Sequence, residues 1–109
     1  MNKNYIGASS DLLILSLINR KDMYGYEMIK NLEILSENIF QFKEGTLYPI
    51  LHRLESQNFL KSYLRKNENN QERKYYRITQ SGINQLNIEK ENWALFQSSI
   101  SKVIDSFAL

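Results

Sequence analysis

Leu47, Ile50, Leu51 and Leu54 recur at i, i+3, i+4 and i+7, the spacing that lines up one buried stripe on an α-helix. At about 100° per residue the opposite face carries Gly45, Pro49, His52 and Ser56, with Tyr48 on one flank and Thr46 and Arg53 on the other. Two residues that project almost nothing therefore open the outer face. Small residues there let the amino end of a helix approach a partner surface, while Thr46, Tyr48 and His52 supply hydrogen-bonding edges. Proline is tolerated near a helix start, where the first N–H groups lack intrahelical partners anyway. Gly45 and Pro49 could also simply mark that start.

Upstream, Ser9 or Ser10 can cap a helix whose first turn holds Asp11. Leu12, Leu13, Leu15, Leu17 and Ile18 follow, an apolar face too broad for a surface helix, so this segment should be sandwiched between other elements. Asn19 to Met23 reads as a turn. A second helix runs from about Tyr24 or Gly25 to Leu35, with Tyr26, Ile29 and Leu32 or Glu33 spaced by three or four. Gly25 weakens that helix, which implies a close approach there by a packed helix or a phosphate, with packing the commoner cause.

After Asn58 the period changes. Phe59 to Leu64 and Arg73 to Ile78 are short aromatic and β-branched runs that bracket KNENNQE, a polar turn-rich segment. They predict a two-stranded hairpin with a mobile tip. Alternation sends Tyr75 and Arg77 to one face and Lys74 and Tyr76 to the other, so one tyrosine of the pair is expected in the core.

Thr79 then caps a last helix, with Gly82 the weak residue of its first turns. Leu86, Trp93, Ile100 and Phe107 lie seven apart, with Phe96 and Val103 three after Trp93 and Ile100: an a/d seam broken at Glu89. A helix of roughly 30 residues would be ~45 Å long, more than so small a domain can cover. The seam is expected to find its partner on a second copy, making a homodimer. Packing on the first helix of the same chain is the alternative, and the two are compatible.

Composition narrows the classes. A chain of 109 residues, 42% of them apolar, builds one core. Cysteine is absent, which removes disulfides and thiolate metal sites. No run of ~18 apolar residues and no signal-like h-region occurs, so no membrane partner and a cytoplasmic location are expected. The net charge of +2 is unevenly laid out. Residues 1–42 hold four Lys/Arg and five Asp/Glu, residues 43–77 eight and four, and residues 78–109 two and three. The middle third thus carries the positive charge, on Lys43 and on the hairpin residues Lys61, Arg65, Lys66, Arg73, Lys74 and Arg77.

Three helices, a hairpin and a long terminal helix, in that order, predict a mainly α fold with a small β-hairpin: a winged helix-turn-helix with a long C-terminal dimerisation helix. Residues 1–78 would be the DNA-binding domain and residues 79–109 the dimerisation helix, together one compact unit. In such a layout the third helix enters the major groove of double-stranded DNA and the wing's cations meet flanking phosphates. Phosphate contacts supply most of the affinity and make it salt-dependent. Base readout would rest on Thr46, Tyr48 and His52.

Four segments, LLILSLI at Leu12 to Ile18, YGYEMIKNL at Tyr24 to Leu32, EGTLYPILHRLE at Glu44 to Glu55 and RKYYRITQSGINQL at Arg73 to Leu86, make the chain resemble the PadR-like transcriptional regulators. It is closest to the small subfamily without a separate C-terminal domain. The resemblance covers roughly residues 10–86, and EGTLYP with the later YYRIT is its specific part. It implies a dimeric cytoplasmic repressor at an inverted-repeat promoter site, with the last and first helices building the dimer contact. By position it points to Tyr24, Lys43, Thr46, Tyr48 and the wing cations around Lys74, which include Lys61 and Arg73, as DNA contacts. The resemblance implies that members are often released from DNA by small aromatic or cationic hydrophobic compounds, some bound between protomers. That makes Trp93 and Phe96, on the seam, the candidate effector-binding pair.

No enzyme is expected. His52, the sole histidine, has no second acid/base partner in view, and neither a phosphate-binding glycine loop nor a metal-ligand cluster occurs, so no cofactor is implied. A winged-helix protein-interaction module without ligand response is the alternative, and it would want an acidic or apolar groove face. Arg53 could reach a phosphate, but its flank position favours a salt bridge, with Glu27 or near Glu55.

Overall fold

The computed structural model describes residues 3–106, with side-chain surroundings from Ser10 onward. The elements run α1 (Lys3–Arg20), β1 (Met23–Tyr24), α2 (Gly25–Leu35), α3 (Glu44–Ser56), β2 (Leu60–Lys66), β3 (Glu72–Ile78) and α4 (Gln80–Ser106). Helix α1 starts well before the expected cap. Ser10 lies inside it, buried, with its hydroxyl 3.4 Å from a carboxylate oxygen of Asp11. A capping side chain marks a helix start only where the chain turns away, and here the backbone upstream stays helical. Ile14, Leu15, Leu17 and Ile18 are buried, as expected for a sandwiched helix.

Only Lys21 and Asp22 of the expected turn stay irregular, since Asn19 and Arg20 finish α1 and Met23 begins a strand. β1 pairs antiparallel with β3, Met23 opposite Tyr76 and Tyr24 opposite Tyr75, so the hairpin becomes a three-stranded sheet of order β1-β3-β2. Two residues are too short to show an alternation, and only the neighbouring strand reveals them. One tyrosine of the pair is core as expected, and the third strand explains why the other is buried as well. Tyr76 joins the core with Met23, while Tyr75, on the other face, is covered by Tyr24 and Tyr63 with ring centroids 5.3 and 5.9 Å away.

Helix α2 buries Gly25, Met28, Ile29 and Leu32, but Tyr26 faces outward, off the expected stripe. Its first turn is held by Glu27, whose carboxylate accepts the N–H of Tyr24 at 3.3 Å. In α3, Leu47, Leu51 and Leu54 are fully buried, with Ile50 half-buried at the edge of the stripe. A Schellman turn ends α3: the Phe59 N–H bonds to Leu54 O at 2.9 Å and the Asn58 N–H to Glu55 O at 3.0 Å, with Asn58 at φ 64°. Phe42, unread in the sequence, completes the core from the segment between α2 and α3.

The wing tip is a hydrogen-bonded turn. The Asn67 side-chain oxygen accepts the N–H groups of Asn69 and Gln71, both at 3.0 Å. Thr79 caps α4 as expected, its hydroxyl oxygen accepting the Gly82 N–H at 3.0 Å. Gly82 is there for space, because a Cβ would lie 2.2 Å from the Phe59 carbonyl oxygen. The first turns of α4 pack on α1, and Leu86 is buried in this protomer's own core rather than left open on a seam. Beyond Glu89 every described α4 residue is exposed, and the molecule is 60 Å long but only 29 by 21 Å across.

Candidate nucleic-acid interface

Glu44, Gly45, Thr46, Pro49 and His52 are all exposed on α3, and Lys43 stands at its N-cap with extended backbone. Glu44 is the first helical residue, so Pro49 is the sixth, too deep to be excused by the unpaired first turn. It leaves the Gly45 carbonyl without its helical N–H donor. Open space surrounds the missing Cβ of Gly45, so no internal packing demands a glycine there. Both residues lower the outer surface of the helix. Tyr48 is 45% exposed and leans across Gly25, where a Cβ would come within 2.9 Å of its hydroxyl oxygen. The close approach at Gly25 is thus side-chain packing from α3.

The wing has two faces. Ser62, Leu64, Lys74 and Tyr76 lie toward α3, and Lys61, Tyr63, Arg65, Arg73, Tyr75 and Arg77 on the other side. On the α3 side the Lys74 ammonium is 3.5 Å from Glu55 and 5.5 Å from the centre of the Tyr76 ring. Glu55 also accepts the Ser62 hydroxyl. That hydrogen bond first, and Lys74 next, hold its carboxyl below the usual range. Part of the charge of Lys74 is therefore answered inside the protein.

On the outer side cations and rings interleave. The Arg65 guanidinium lies 4.6 Å over Tyr75 and that of Arg77 lies 5.3 Å over Tyr63. Asp22 ties this face to the end of α1, accepting the Tyr63 hydroxyl at 2.5 Å and the Arg77 Nε–H at 3.2 Å. No ion pair among the described residues engages Lys43, Lys61, Lys66 or Arg73.

A cleft of about 480 Å³ opens where the starts of α2 and α3 face the wing tip, walled by Tyr24, Tyr26, Glu44, Tyr48, Asn67, Asn69, Gln71 and Arg73. It brings together Tyr24, Tyr48 and Arg73 from the sequence-derived set. Lys43, Thr46 and His52 share the exposed surface of α3 beside it, whereas Lys74 lies on the α3 side of the wing and Lys61 at the wing's root, opposite Arg77. Tyr26, Asn67 and Gln71 were not anticipated. Tyr26 looked like a core position by spacing, and polar tip residues carry no signal until the hairpin is folded against α2.

Arg53 is committed elsewhere. Its guanidinium forms a two-point ion pair with Asp11 of α1, one N–O distance being 3.0 Å. The structural role holds, with Asp11 as partner in place of Glu27 or a residue near Glu55. On distal α4, Trp93, Phe96, Ile100 and Val103 are all exposed, and Phe107 lies outside the described residues. Among the described residues no helix is long and apolar enough to cross a membrane, and no group of three His, Cys, Asp or Glu side chains could hold a metal.

The chain is 37% identical to a transcriptional regulator from Clostridium thermocellum whose solved structure superposes with a TM-score of 0.82, covering 98% of this chain and 100% of that one. A PadR family transcription regulator from Clostridium difficile is 36% identical at a TM-score of 0.76, over 88% of this chain and 98% of its own. An uncharacterized protein of Lysinibacillus sphaericus is 38% identical over 89% of this chain and 85% of its own length. The transcriptional regulator YqjI of Escherichia coli is 29% identical over 82% of this chain, which spans only 41% of that protein. The sequence pattern of the Transcriptional regulator PadR-like family matches residues 14–88, and with the winged-helix fold described above, the chain belongs to this family of transcriptional regulators.

Proposed function

We propose that this protein works in the cytoplasm as a homodimer that represses a promoter by binding an inverted-repeat operator. The cleft joining Tyr24, Tyr48 and Arg73 carries the reading, because it sets the low outer surface of α3 beside a wing rich in cations. Helix α3 enters the major groove amino end first, with Thr46, Tyr48 and His52 reading base edges. Lys43, Lys61, Arg73 and Lys74 hold flanking phosphates, Lys74 after exchanging Glu55 for a phosphate oxygen. Distal α4 supplies the dimer contact that sets the half-site spacing. Selecting binding sites from random duplexes, then titrating the winner at several salt concentrations, tests the reading. A two-fold-symmetric motif with a negative log–log salt slope is expected. Absence of any enriched motif overturns it in favour of a protein-interaction module.

A second element of the reading concerns release from DNA. Trp93 and Phe96 are exposed aromatic side chains three apart on the stripe assigned to the dimer. Across a two-fold axis they would form an aromatic slot for a flat hydrophobic effector. Planar aromatics should quench Trp93 fluorescence and lower DNA affinity together; a panel that does neither removes the effector.

A further inference from the structure

Adjoining that cleft and sharing Tyr24, Asn67 and Asn69 with it, a second cavity of about 380 Å³ lies on the outer face of the sheet. Tyr24 and Tyr75 give it an aromatic wall, Asp22, Glu27 and Glu68 supply carboxylates, Lys21 and Arg65 supply cations, and Asn67 and Asn69 complete the lining. Tyr75 is the telling residue. It is only 4% exposed, yet no hydrogen bond from its hydroxyl to a described residue exists. No buried side-chain oxygen or nitrogen among the described residues lacks a partner, so this hydroxyl oxygen is reachable from outside the protein, and Tyr75 lines the cavity. A nearly buried ring beside a cavity, with a reachable and unbonded hydroxyl, is a hook for something that brings its own hydrogen-bonding group.

The chemistry of the walls selects the ligand. Arg65 already lies 4.6 Å over the Tyr75 ring, so that π-face accepts a cation in the present fold. The Glu27 carboxylate is held only by an exposed Lys21 at 3.6 Å and by the Tyr24 N–H, and no ion pair among the described residues engages Glu68. Burial first, and the facing Glu27 next, push the Tyr75 phenol above its ordinary range, so the hydroxyl stays neutral and its oxygen can accept an N–H. Asp22 adds a third carboxylate but is already answered by Arg77 and Tyr63. Three carboxylates against the two cations Lys21 and Arg65 leave the lining net negative, which favours a cation over an anion, and the tyrosines favour a ligand with a flat or apolar body.

We infer that this cavity is a binding site for a small organic ammonium ion, its charge between Glu27 and Glu68 and over the Tyr75 ring, its N–H groups on the Tyr75 oxygen and the Glu27 carboxylate. The side chain of Arg65 is the resident competitor, occupying the ring face until the ligand displaces it. The site belongs to one protomer and needs neither the dimer nor DNA.

The test uses the full chain without DNA, so its outcome is independent of operator binding. Amide shifts around Tyr75 and Glu27 are followed by NMR as 2-phenylethylammonium is added, with 2-phenylethanol as the uncharged control. Saturable shifts with the ammonium are expected, with the alcohol about tenfold weaker for want of the charge. Tyr75→Phe should weaken ammonium binding without lowering the melting temperature, because the hydroxyl it removes bonds to no described residue. Arg65→Met should tighten binding by removing the competitor. Equal binding of alcohol and ammonium, an unchanged affinity in Tyr75→Phe, failure of Arg65→Met to tighten, or no saturable shift each overturns the assignment.

Discussion

Helices α3 and α4 are both amphipathic, and they use their apolar stripes in opposite ways. In α3 the stripe of Leu47, Leu51 and Leu54 is fully buried by α1, α2 and the sheet, so none of it remains for a partner. What α3 shows to the outside at its amino end is small, polar or charged, Glu44, Gly45, Thr46, Pro49 and His52, with Tyr48 45% exposed on the flank. In α4 only Gly82 and Leu86 are buried, and the stripe continues bare through Trp93, Phe96, Ile100 and Val103. A stripe consumed inside the protomer fixes the fold and leaves function to the opposite face. A stripe left uncovered leaves the apolar face itself to function, and exposed large side chains at coiled-coil spacing suit a copy of the same helix.

Substitutions should separate the two helices sharply. Leu51→Ala opens a cavity where no solvent reaches and should cost about 2–5 kcal/mol of stability, measured by urea denaturation. Ile100→Asp places a charge on the uncovered stripe, where the side chain is 43% exposed in the protomer. It should leave the protomer folded, convert the sedimentation profile to monomer and lower operator affinity on the order of 100-fold, the avidity lost when two sites are unlinked. If Ile100→Asp instead unfolds the chain, the stripe is part of the protomer core and the contrast fails.

Smaller effects divide the outer face of α3 from the wing. Arg73→Ala or Lys61→Ala should weaken binding to all duplexes alike and reduce the salt slope by about 0.9 each. His52→Ala should leave that slope unchanged and relax preference at one base pair. Arg53→Ala should lower stability by at most about 1 kcal/mol, since its ion pair with Asp11 is partly exposed, and leave DNA affinity per folded dimer as it was. The smallest effect is on pH dependence. Glu55 has its folded pKa depressed, by Ser62 first and Lys74 next, so its stabilisation is present above the unfolded carboxylate value of about 4.3 and lost as pH falls through the lower folded value. Glu55→Gln should flatten that part of an acid-denaturation curve.

Much of this was legible before folding. The α3 stripe, the α2 span from Gly25, the Thr79 cap and the hairpin arms all rest on local spacing or on one residue's chemistry, which neighbours did not override. The candidate cleft was legible only in part. Tyr24 and Tyr48 sit 24 residues apart in sequence, and nothing local shows that Tyr48 lies across Gly25 with Arg73 on the far wall. Tyr26 and Leu86 were misplaced by periodicity, which gives the face of a helix but not what covers it. The partner of Arg53 was misread for the same reason, since Asp11 lies 42 residues away.

By itself the sequence determined which residues share a helix face or a strand face, where positive charge concentrates and which family signature the chain carries, because all three depend on order along the chain. Tertiary structure alone decided that Met23 and Tyr24 are a strand, that both Tyr75 and Tyr76 are buried, that Glu55 holds Lys74, and that α4 is covered as far as Leu86 and bare beyond. Each of those depends on which distant surface removes a side chain from water, and burial is a property of the assembled neighbours rather than of the chain that supplies the residue.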